Sequence, residues 1–235
     1  MSNIVLVHGT YAGGFMWKEV AARLREKGHR VWTPTLTGVG ERRHLNGPSV
    51  GLQTHVQDIE NVLFHEDIQD AVVLGFSYGG MVLAGLGEEA ADRVRSVILL
   101  DAALPNDGES IHDVYSHVGG DTLPPEVLDL HALDTKPEGA PDLAVPEWLS
   151  DNPRMAPMPV NCHWDKVTRG PVFTEAKGYY VLCTQWSMNE QCADRAAALG
   201  WEVWPLDAPH GAMDSDPDGV AELIDRAAQE SAAAE

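Results

Sequence analysis

The chain has 235 residues, enough for one domain with a full hydrophobic core, and its 44% apolar and 22% charged fractions are ordinary for a globular protein. Asp and Glu outnumber Lys and Arg by 36 to 16, giving a net charge of −20. A surface of that sign repels phosphate backbones and anionic lipid headgroups, so nucleic acid and membranes are disfavoured as partners.

Predicted strands and helices alternate along most of the chain. The strands are short, continuous apolar runs at 4–7, 29–33, 71–75, 96–100, 179–183 and 201–206. The helices carry apolar residues three or four positions apart, and they span 17–27, 52–64, 79–91, 190–199 and 218–229. Apolar runs of this kind are typical of strands covered on both faces. We therefore predict an α/β fold, with a mostly parallel sheet and helices on both of its faces.

One long segment interrupts this alternation. Residues 105–177 are rich in proline, include Trp148 and Trp164, and contain no clear core strand. Such a length far exceeds an ordinary connection between a strand and a helix. We interpret 105–177 as an inserted cap or lid, with 1–104 and 178–235 forming the core domain.

The cysteine content and the amino-terminal residues bear on the compartment. The cysteines, Cys162, Cys183 and Cys192, are odd in number and widely spaced, which is typical of reduced thiols. The chain begins without a basic segment and a long apolar run, and it has no run long enough to span a membrane. We expect a cytoplasmic protein without a bound metal. A homodimer is left open, since a cap of this size offers surface for an interface.

The most informative motif is Gly-Phe-Ser-Tyr-Gly at 75–79, which lies between a predicted strand and a predicted helix. A sharp strand-to-helix turn of this kind exposes its serine as a nucleophile, and small flanking residues let the strand and helix approach each other. The alternative is a glycine-rich turn in which the serine is incidental. The strand-turn-helix context favours Ser77 as the nucleophile.

A serine hydroxyl needs a base to accept its proton. Of the ten histidines, only His210 follows the last predicted strand, where a loop can reach Ser77 across the carboxyl edge of the sheet. The tetrahedral intermediate also needs hydrogen-bond donors for its oxyanion. We expect the backbone N–H groups of Tyr78, which follows the nucleophile, and of Thr10, in the glycine-rich loop after the first strand, to form this oxyanion hole.

These motifs together resemble the α/β-hydrolase superfamily, and more narrowly its branch of plant hydroxynitrile lyases and methylesterases with their bacterial esterase relatives. The matching segments are Val-Leu-Val-His-Gly at 5–9, Gly-His-Arg-Val at 28–31, Thr-Leu-Thr-Gly at 35–38, the serine motif, and 207–211. The resemblance implies the α/β-hydrolase fold, a serine nucleophile and no cofactor. It also bears on the reaction, because the lyases of this branch carry a threonine where Gly9 stands and a lysine where Gly211 stands. Their absence here argues against lyase activity.

The acid of a Ser-His-Asp triad departs from the family pattern. The family usually places it just after the penultimate strand, but 183–188 contain no carboxylate. Asp101, at the end of the strand 96–100, is the preferred candidate, and in another interpretation it merely terminates that strand. Asp207 is a weaker candidate, because its short connection to His210 limits its reach to the far ring nitrogen, and Asp214 is weaker still.

Five aromatic residues are expected to line an apolar substrate pocket under the cap: Tyr11, Phe15, Trp148, Trp164 and Trp186. We expect a serine hydrolase that cleaves a small hydrophobic or aromatic carboxylic ester or lactone through an acyl-enzyme. Two alternatives remain open. One is a non-hydrolytic or C–C bond-cleaving enzyme that uses the same site, and the other is a ligand-binding protein with slow turnover.

Overall fold

The computed structural model describes residues 1–116, 135–186 and 188–233. The strands are β1 (Asn3–Val7), β2 (Arg30–Trp32), β3 (Ala71–Phe76), β4 (Val94–Leu100), β5 (Lys177–Cys183) and β6 (Glu202–Leu206). The α-helices are α1 (Lys18–Glu26), α2 (Leu52–His65), α3 (Gly79–Ala84), α4 (Glu88–Ala91), α5 (Ile111–Tyr115), α6 (Asn161–Trp164), α7 (Val172–Glu175), α8 (Glu190–Ala198), α9 (Ala212–Ser215) and α10 (Pro217–Ala232). Short 3-10 helices span Gly14–Trp17, Gly40–Leu45 and Glu147–Leu149.

The six strands form one parallel sheet in the order β2-β1-β3-β4-β5-β6. In the centre of the sheet, Val5 pairs with Val73 and Leu74 pairs with Ile98. Because all strands run the same way, their carboxyl ends meet at one edge, where ligands bind in open α/β sheets. The predicted α/β fold with a mostly parallel sheet is confirmed.

Helices cover both faces of this sheet. Alternate residues of β1 belong to different hydrophobic clusters: Val5 and Val7 pack with α2 and α3, while Ile4 and Leu6 pack with α1 and α10. Both sets are fully buried. This arrangement explains why the strands are continuously apolar rather than alternating in polarity.

The helix predicted across 79–91 is interrupted. The structure gives α3 and then α4, separated by Gly85, Leu86 and Gly87. The backbone N–H of Gly87 donates to the Glu60 side chain at 2.8 Å, and the N–H of Gly170 donates to the carbonyl of Ala84 at 2.8 Å. Glycine is a poor helix former, and these tertiary hydrogen bonds replace the helical ones at the break.

The segment predicted as a cap lies between β4 and β5. Its described residues include α5, α6 and α7 and a single antiparallel bridge between Leu143 and Met158, and none of them adds a strand to the sheet. Cys162 and Phe173 from this segment are buried within the same cluster as α2 and α3. Across the described ranges, no helix has the length and apolar character needed to cross a bilayer.

Candidate active site

Ser77 lies in the sharp turn between β3 and α3. Its backbone has φ = 52°, a left-handed conformation that is costly for a residue with a Cβ atom. The turn is tight, because a Cβ atom added at Gly80 would lie 2.0 Å from the carbonyl oxygen of Ala103. Ser77 itself is half-buried at the carboxyl edge of the sheet. The sequence motif thus corresponds to a strained turn that presents a serine hydroxyl.

His210 and Asp101 form a short hydrogen bond. His210 Nδ1 lies 2.6 Å from Asp101 Oδ2, although the two residues are far apart in the chain. The His210 ring also contacts the Phe76 ring, with 4.6 Å between their centroids, which places the histidine beside the residue that precedes Ser77. Because an ionised carboxylate only accepts hydrogen bonds, Nδ1 carries the proton and Nε2 keeps a lone pair. This is the tautomer that a general base requires.

Asp101 is completely buried and has φ = 42°. Its second carboxylate oxygen accepts the backbone N–H of Cys183 at 3.3 Å, so each oxygen has a partner. Its backbone carbonyl accepts the Asn189 side-chain amide at 2.8 Å, and the Tyr115 hydroxyl donates to Asn189 Oδ1 at 2.9 Å. Asn189 and Tyr115 therefore hold the acid in place. Sequence reasoning did not identify either residue, since a lone asparagine and a lone tyrosine carry no motif.

The two weaker acid candidates lie elsewhere. Asp207 is exposed and accepts a hydrogen bond from Gln185 Nε2 at 3.1 Å. Asp214 is exposed on α9. In the part of the chain that the structure describes, neither carboxylate forms a hydrogen bond with His210. Of the three aspartates, Asp101 is the one whose carboxylate meets the His210 ring.

The peptide between Ser77 and Tyr78 is held by its carbonyl. The Ser77 oxygen accepts the N–H groups of Ala103 at 3.0 Å and Gly80 at 3.1 Å. In a trans peptide the N–H points opposite to the carbonyl, so the Tyr78 N–H is directed away from these two donors. The N–H groups of Tyr78 and Thr10 make no hydrogen bond to another described residue.

The loop that carries Thr10 is fixed by a buried histidine that sequence reasoning did not identify. His8 Nδ1 donates to the carbonyl of Gly9 at 2.7 Å, and His8 Nε2 accepts the N–H of Leu36 at 3.0 Å. A Cβ atom at Gly9 would lie 2.9 Å from Ser77 Cβ, closer than real Cβ contacts allow. The glycine therefore permits the loop to approach the nucleophile directly.

Protonation of His8 is expected to make the fold sensitive to acid. Burial lowers the pKa of His8 from 6.5 to about 4. The unfolded chain then binds a proton here as the pH falls below 6.5, whereas the folded chain does not until about pH 4. The stability that depends on neutral His8 is fully present above pH 6.5. Acidification to pH 4 lowers the free energy of unfolding by about 3 kcal/mol through this residue. Urea unfolding of wild type and His8→Gln at pH 7.5 and pH 4 should show the wild type losing about that much more stability. Parallel losses in the two proteins would contradict the assignment.

The cysteine nearest the catalytic candidates is not a competing nucleophile. Burial raises the pKa of the Cys183 thiol to about 12, so the thiol remains protonated at neutral pH. Cys162 and Cys192 are likewise buried free thiols. Within the described ranges, no three His, Cys, Asp or Glu side chains are grouped as metal ligands.

The predicted substrate-binding aromatics do not all lie together. Tyr11 and Trp164 line a largely apolar cavity of about 750 Å³. Trp186 stacks against the His210 ring at 6.0 Å, directly beside the candidate base. Phe15 is half-buried beneath the Arg154 guanidinium, which lies 4.3 Å from its ring centroid. Trp148 is 60% exposed, which makes it the least pocket-like of the five.

Comparisons with known proteins bear on the family and the fold of this chain. The profile of the alpha/beta hydrolase family matches residues 4–223. A carbendazim hydrolyzing esterase from Nocardioides is 45% identical over 127 residues, which cover 54% of this chain and 51% of the relative. Methylesterase 3 from Arabidopsis thaliana is 25% identical over 163 residues, covering 64% of this chain and 59% of the relative. The chain thus spans little more than half the length of these curated relatives.

Solved structures show the same fold. An extracellular alpha/beta-hydrolase from a Paenibacillus species, described as sharing homology with tobacco salicylic acid binding protein 2, superimposes with a TM-score of 0.77. The superposition covers 95% of this chain and 98% of that chain at 22% sequence identity. The predicted resemblance to the α/β-hydrolase superfamily is confirmed. This chain belongs to the alpha/beta hydrolase family.

Proposed function

We propose that this protein hydrolyses a small hydrophobic or aromatic carboxylic ester or lactone through an acyl-enzyme at Ser77. The single observation that carries the proposal is the 2.6 Å hydrogen bond between His210 and the buried Asp101, formed next to a strained serine turn. A serine, an oriented histidine and a buried carboxylate constitute the machinery of acyl transfer. The names of the curated relatives reported above support ester hydrolysis.

The chemistry divides into two halves. Ser77 Oγ attacks the ester carbonyl carbon while His210 Nε2 accepts the hydroxyl proton, and the oxyanion binds the N–H groups of Thr10 and Tyr78. The C–O bond to the leaving alcohol then breaks, and the His210 imidazolium returns its proton to that alcohol. A water molecule, deprotonated by His210, next attacks the acyl-enzyme and releases the carboxylic acid and free Ser77.

Two features support an apolar acyl or alcohol group. Trp186 lies over one side of the His210 ring. Tyr11, in the loop that carries Thr10, lines the largely apolar cavity described above, whose lining residues do not include Ser77 or His210. An aromatic substrate group gains from contacts with such side chains. Because the Nocardioides relative is named for hydrolysis of carbendazim, we include this compound in the substrate panel.

The test combines covalent labelling with turnover. We expect a fluorophosphonate to add once per chain, on the peptide that carries Ser77, as read by intact and peptide mass. Ser49→Ala, which removes an exposed serine outside the site, should be labelled at the wild-type rate. A substrate panel of aryl acetates, aryl benzoates, a γ-lactone, carbendazim and a β-diketone is then assayed, and an initial burst of alcohol release is expected for the aryl esters.

The outcomes separate the candidate functions. Fast turnover of esters or the lactone with Ser77 labelling supports the hydrolase. Preferred cleavage of the β-diketone would indicate C–C bond chemistry at the same serine. Absence of labelling, together with tight ligand binding and no repeated turnover, would instead indicate a ligand-binding protein.

A further inference from the structure

Next to the Ser77–Tyr78 peptide lies a buried series of hydrogen bonds that the mechanism above does not use. The hydroxyl of Tyr78 lies 3.0 Å from His55 Nδ1, and His55 Nε2 lies 2.7 Å from the carbonyl oxygen of Thr37. Tyr78 and His55 are both fully buried. Burying a hydroxyl and an imidazole is costly unless both are hydrogen-bonded, so the two side chains satisfy one another.

The direction of these hydrogen bonds follows from the chemistry of the groups. A backbone carbonyl only accepts, so His55 Nε2 carries the proton and donates to Thr37. Nδ1 therefore holds a lone pair and accepts the hydroxyl proton of Tyr78. Burial lowers the pKa of His55, which keeps the ring neutral in this tautomer at neutral pH. The Tyr78 hydroxyl thereby donates to His55 Nδ1, and the Cys162 thiol is a second, weaker hydrogen-bonding neighbour of the same hydroxyl.

Tyr78 connects this chain to the oxyanion hole within one residue. Its N–H belongs to the peptide whose carbonyl is fixed by Ala103 and Gly80, and its side chain is fixed by His55. Once the ring and the carbonyl are both held, rotation about the N–Cα bond of Tyr78 is restricted. The direction of the N–H is then determined on both sides. Donors that are aligned before the reaction stabilise the oxyanion most strongly.

The inserted segment also contacts His55 and the helix that carries it. Cys162 Sγ, on α6, lies 3.6 Å from His55 Nδ1. Asp165 Oδ2, just after α6, accepts the N–H of Leu52 at 2.9 Å, at the start of the helix that carries His55. The helix α2 is thus fixed at its amino-terminal end by residues of the predicted cap.

We propose that His55 is a positioning residue for the oxyanion hole, acting through the hydroxyl of Tyr78. This inference rests on the proposed function, because it assigns the Tyr78 N–H to oxyanion stabilisation. His55 does not touch the substrate. Its role is to orient the Tyr78 N–H, whose hydrogen bond to the substrate oxygen strengthens in the tetrahedral intermediate. Loss of His55 should therefore lower kcat rather than raise KM.

The test compares three variants with one matched control. Tyr78→Phe removes the hydroxyl, and His55→Leu removes its acceptor. His55→Asn keeps an amide oxygen near the position of Nδ1 and so can still accept the tyrosine hydroxyl. Tyr179→Phe removes the hydroxyl of another fully buried tyrosine, in the cluster on the opposite face of the sheet. Active sites are counted by the endpoint of fluorophosphonate labelling, so that kcat refers to folded protein only.

With an aryl acetate as substrate, kcat is expected to fall about 10-fold in Tyr78→Phe and His55→Leu, with KM within about twofold. Affinity for an aryl boronic acid, which forms a tetrahedral adduct at the serine, should fall by the same factor. His55→Asn should recover most of the loss, and Tyr179→Phe should match wild type. A merely structural role would lower the count of active sites while leaving kcat per site and boronate affinity unchanged.

The failures are distinguishable. If wild type turns over esters and Tyr78→Phe has an unchanged kcat per site, the positioning role is wrong and the hydrolase proposal stands. Equal losses in His55→Asn and His55→Leu would also overturn the role of Nδ1 as acceptor. If wild type neither reacts with fluorophosphonate nor turns over any ester, the proposed function and this inference fall together.

Discussion

Ser77→Ala is expected to lower kcat for an aryl ester by about 10⁶-fold, because the acyl-enzyme cannot form without the hydroxyl. The substitution removes only Ser77 Oγ and leaves Cβ in place, so the fold and the pocket should be unchanged. Stopped-flow and long-time assays on the purified variant measure the residual rate. Substantial turnover in Ser77→Ala would exclude this serine as the nucleophile.

Ser77→Gly provides a matched companion to this variant. It is equally inactive in our expectation, but it also relieves the left-handed strain at φ = 52°. The relief, offset by the greater freedom of glycine in the unfolded chain, should stabilise the fold by about 0.5 to 1 kcal/mol. Urea unfolding of the two variants separates the cost of strain from the loss of the hydroxyl. A Ser77→Gly variant less stable than Ser77→Ala would show that the turn is not strained by its side chain.

Asp101→Asn is expected to lower kcat by about 10⁴-fold, with little change in KM. Asparagine keeps the shape of the side chain and tolerates φ = 42°, so the turn after β4 should survive. The amide can present an N–H to His210 Nδ1, which favours the wrong tautomer and removes the lone pair that the base needs at Nε2. Single-turnover acylation by an aryl ester measures this step directly.

Asp207→Asn is the control for this prediction. It makes the same chemical change at an exposed carboxylate that contacts Gln185 instead of His210, and its kcat should stay within about twofold of wild type. A large loss of kcat in Asp207→Asn, with a small loss in Asp101→Asn, would identify Asp207 as the acid and exclude Asp101.

Much of the fold could be predicted because it depends on local pattern. Continuous apolar runs identified the six strands, and the serine motif between a strand and a helix located the turn at Ser77. The absence of a carboxylate after β5 favours Asp101 as the partner of His210, and the structure places Trp186 from that loop against the His210 ring. Each of these predictions depends on the residues of one short segment.

The remainder depends on contacts between distant segments. His55 meets Tyr78, 23 residues away, and Asn189 meets Asp101, 88 residues away. A single histidine on an amphipathic helix has no sequence feature that distinguishes a partner of the oxyanion peptide from an ordinary core residue. The helix break at Gly85 likewise depends on Gly170, which lies in the inserted segment. Periodicity does not contain this information.

The turn that follows β4 has a consequence for how the site opens. Asp101 donates its N–H to Val181 on β5, and Ala103 donates to Ser77, so the proposed acid and nucleophile are both hydrogen-bonded at the ends of central strands. His210 lies instead on the loop after β6, a strand at the edge of the sheet. Edge elements open in local fluctuations that cost less free energy than global unfolding. We therefore expect His210 to separate from Asp101 in local opening events more readily than Asp101 separates from Ser77, so that the edge of the sheet limits the lifetime of the assembled site.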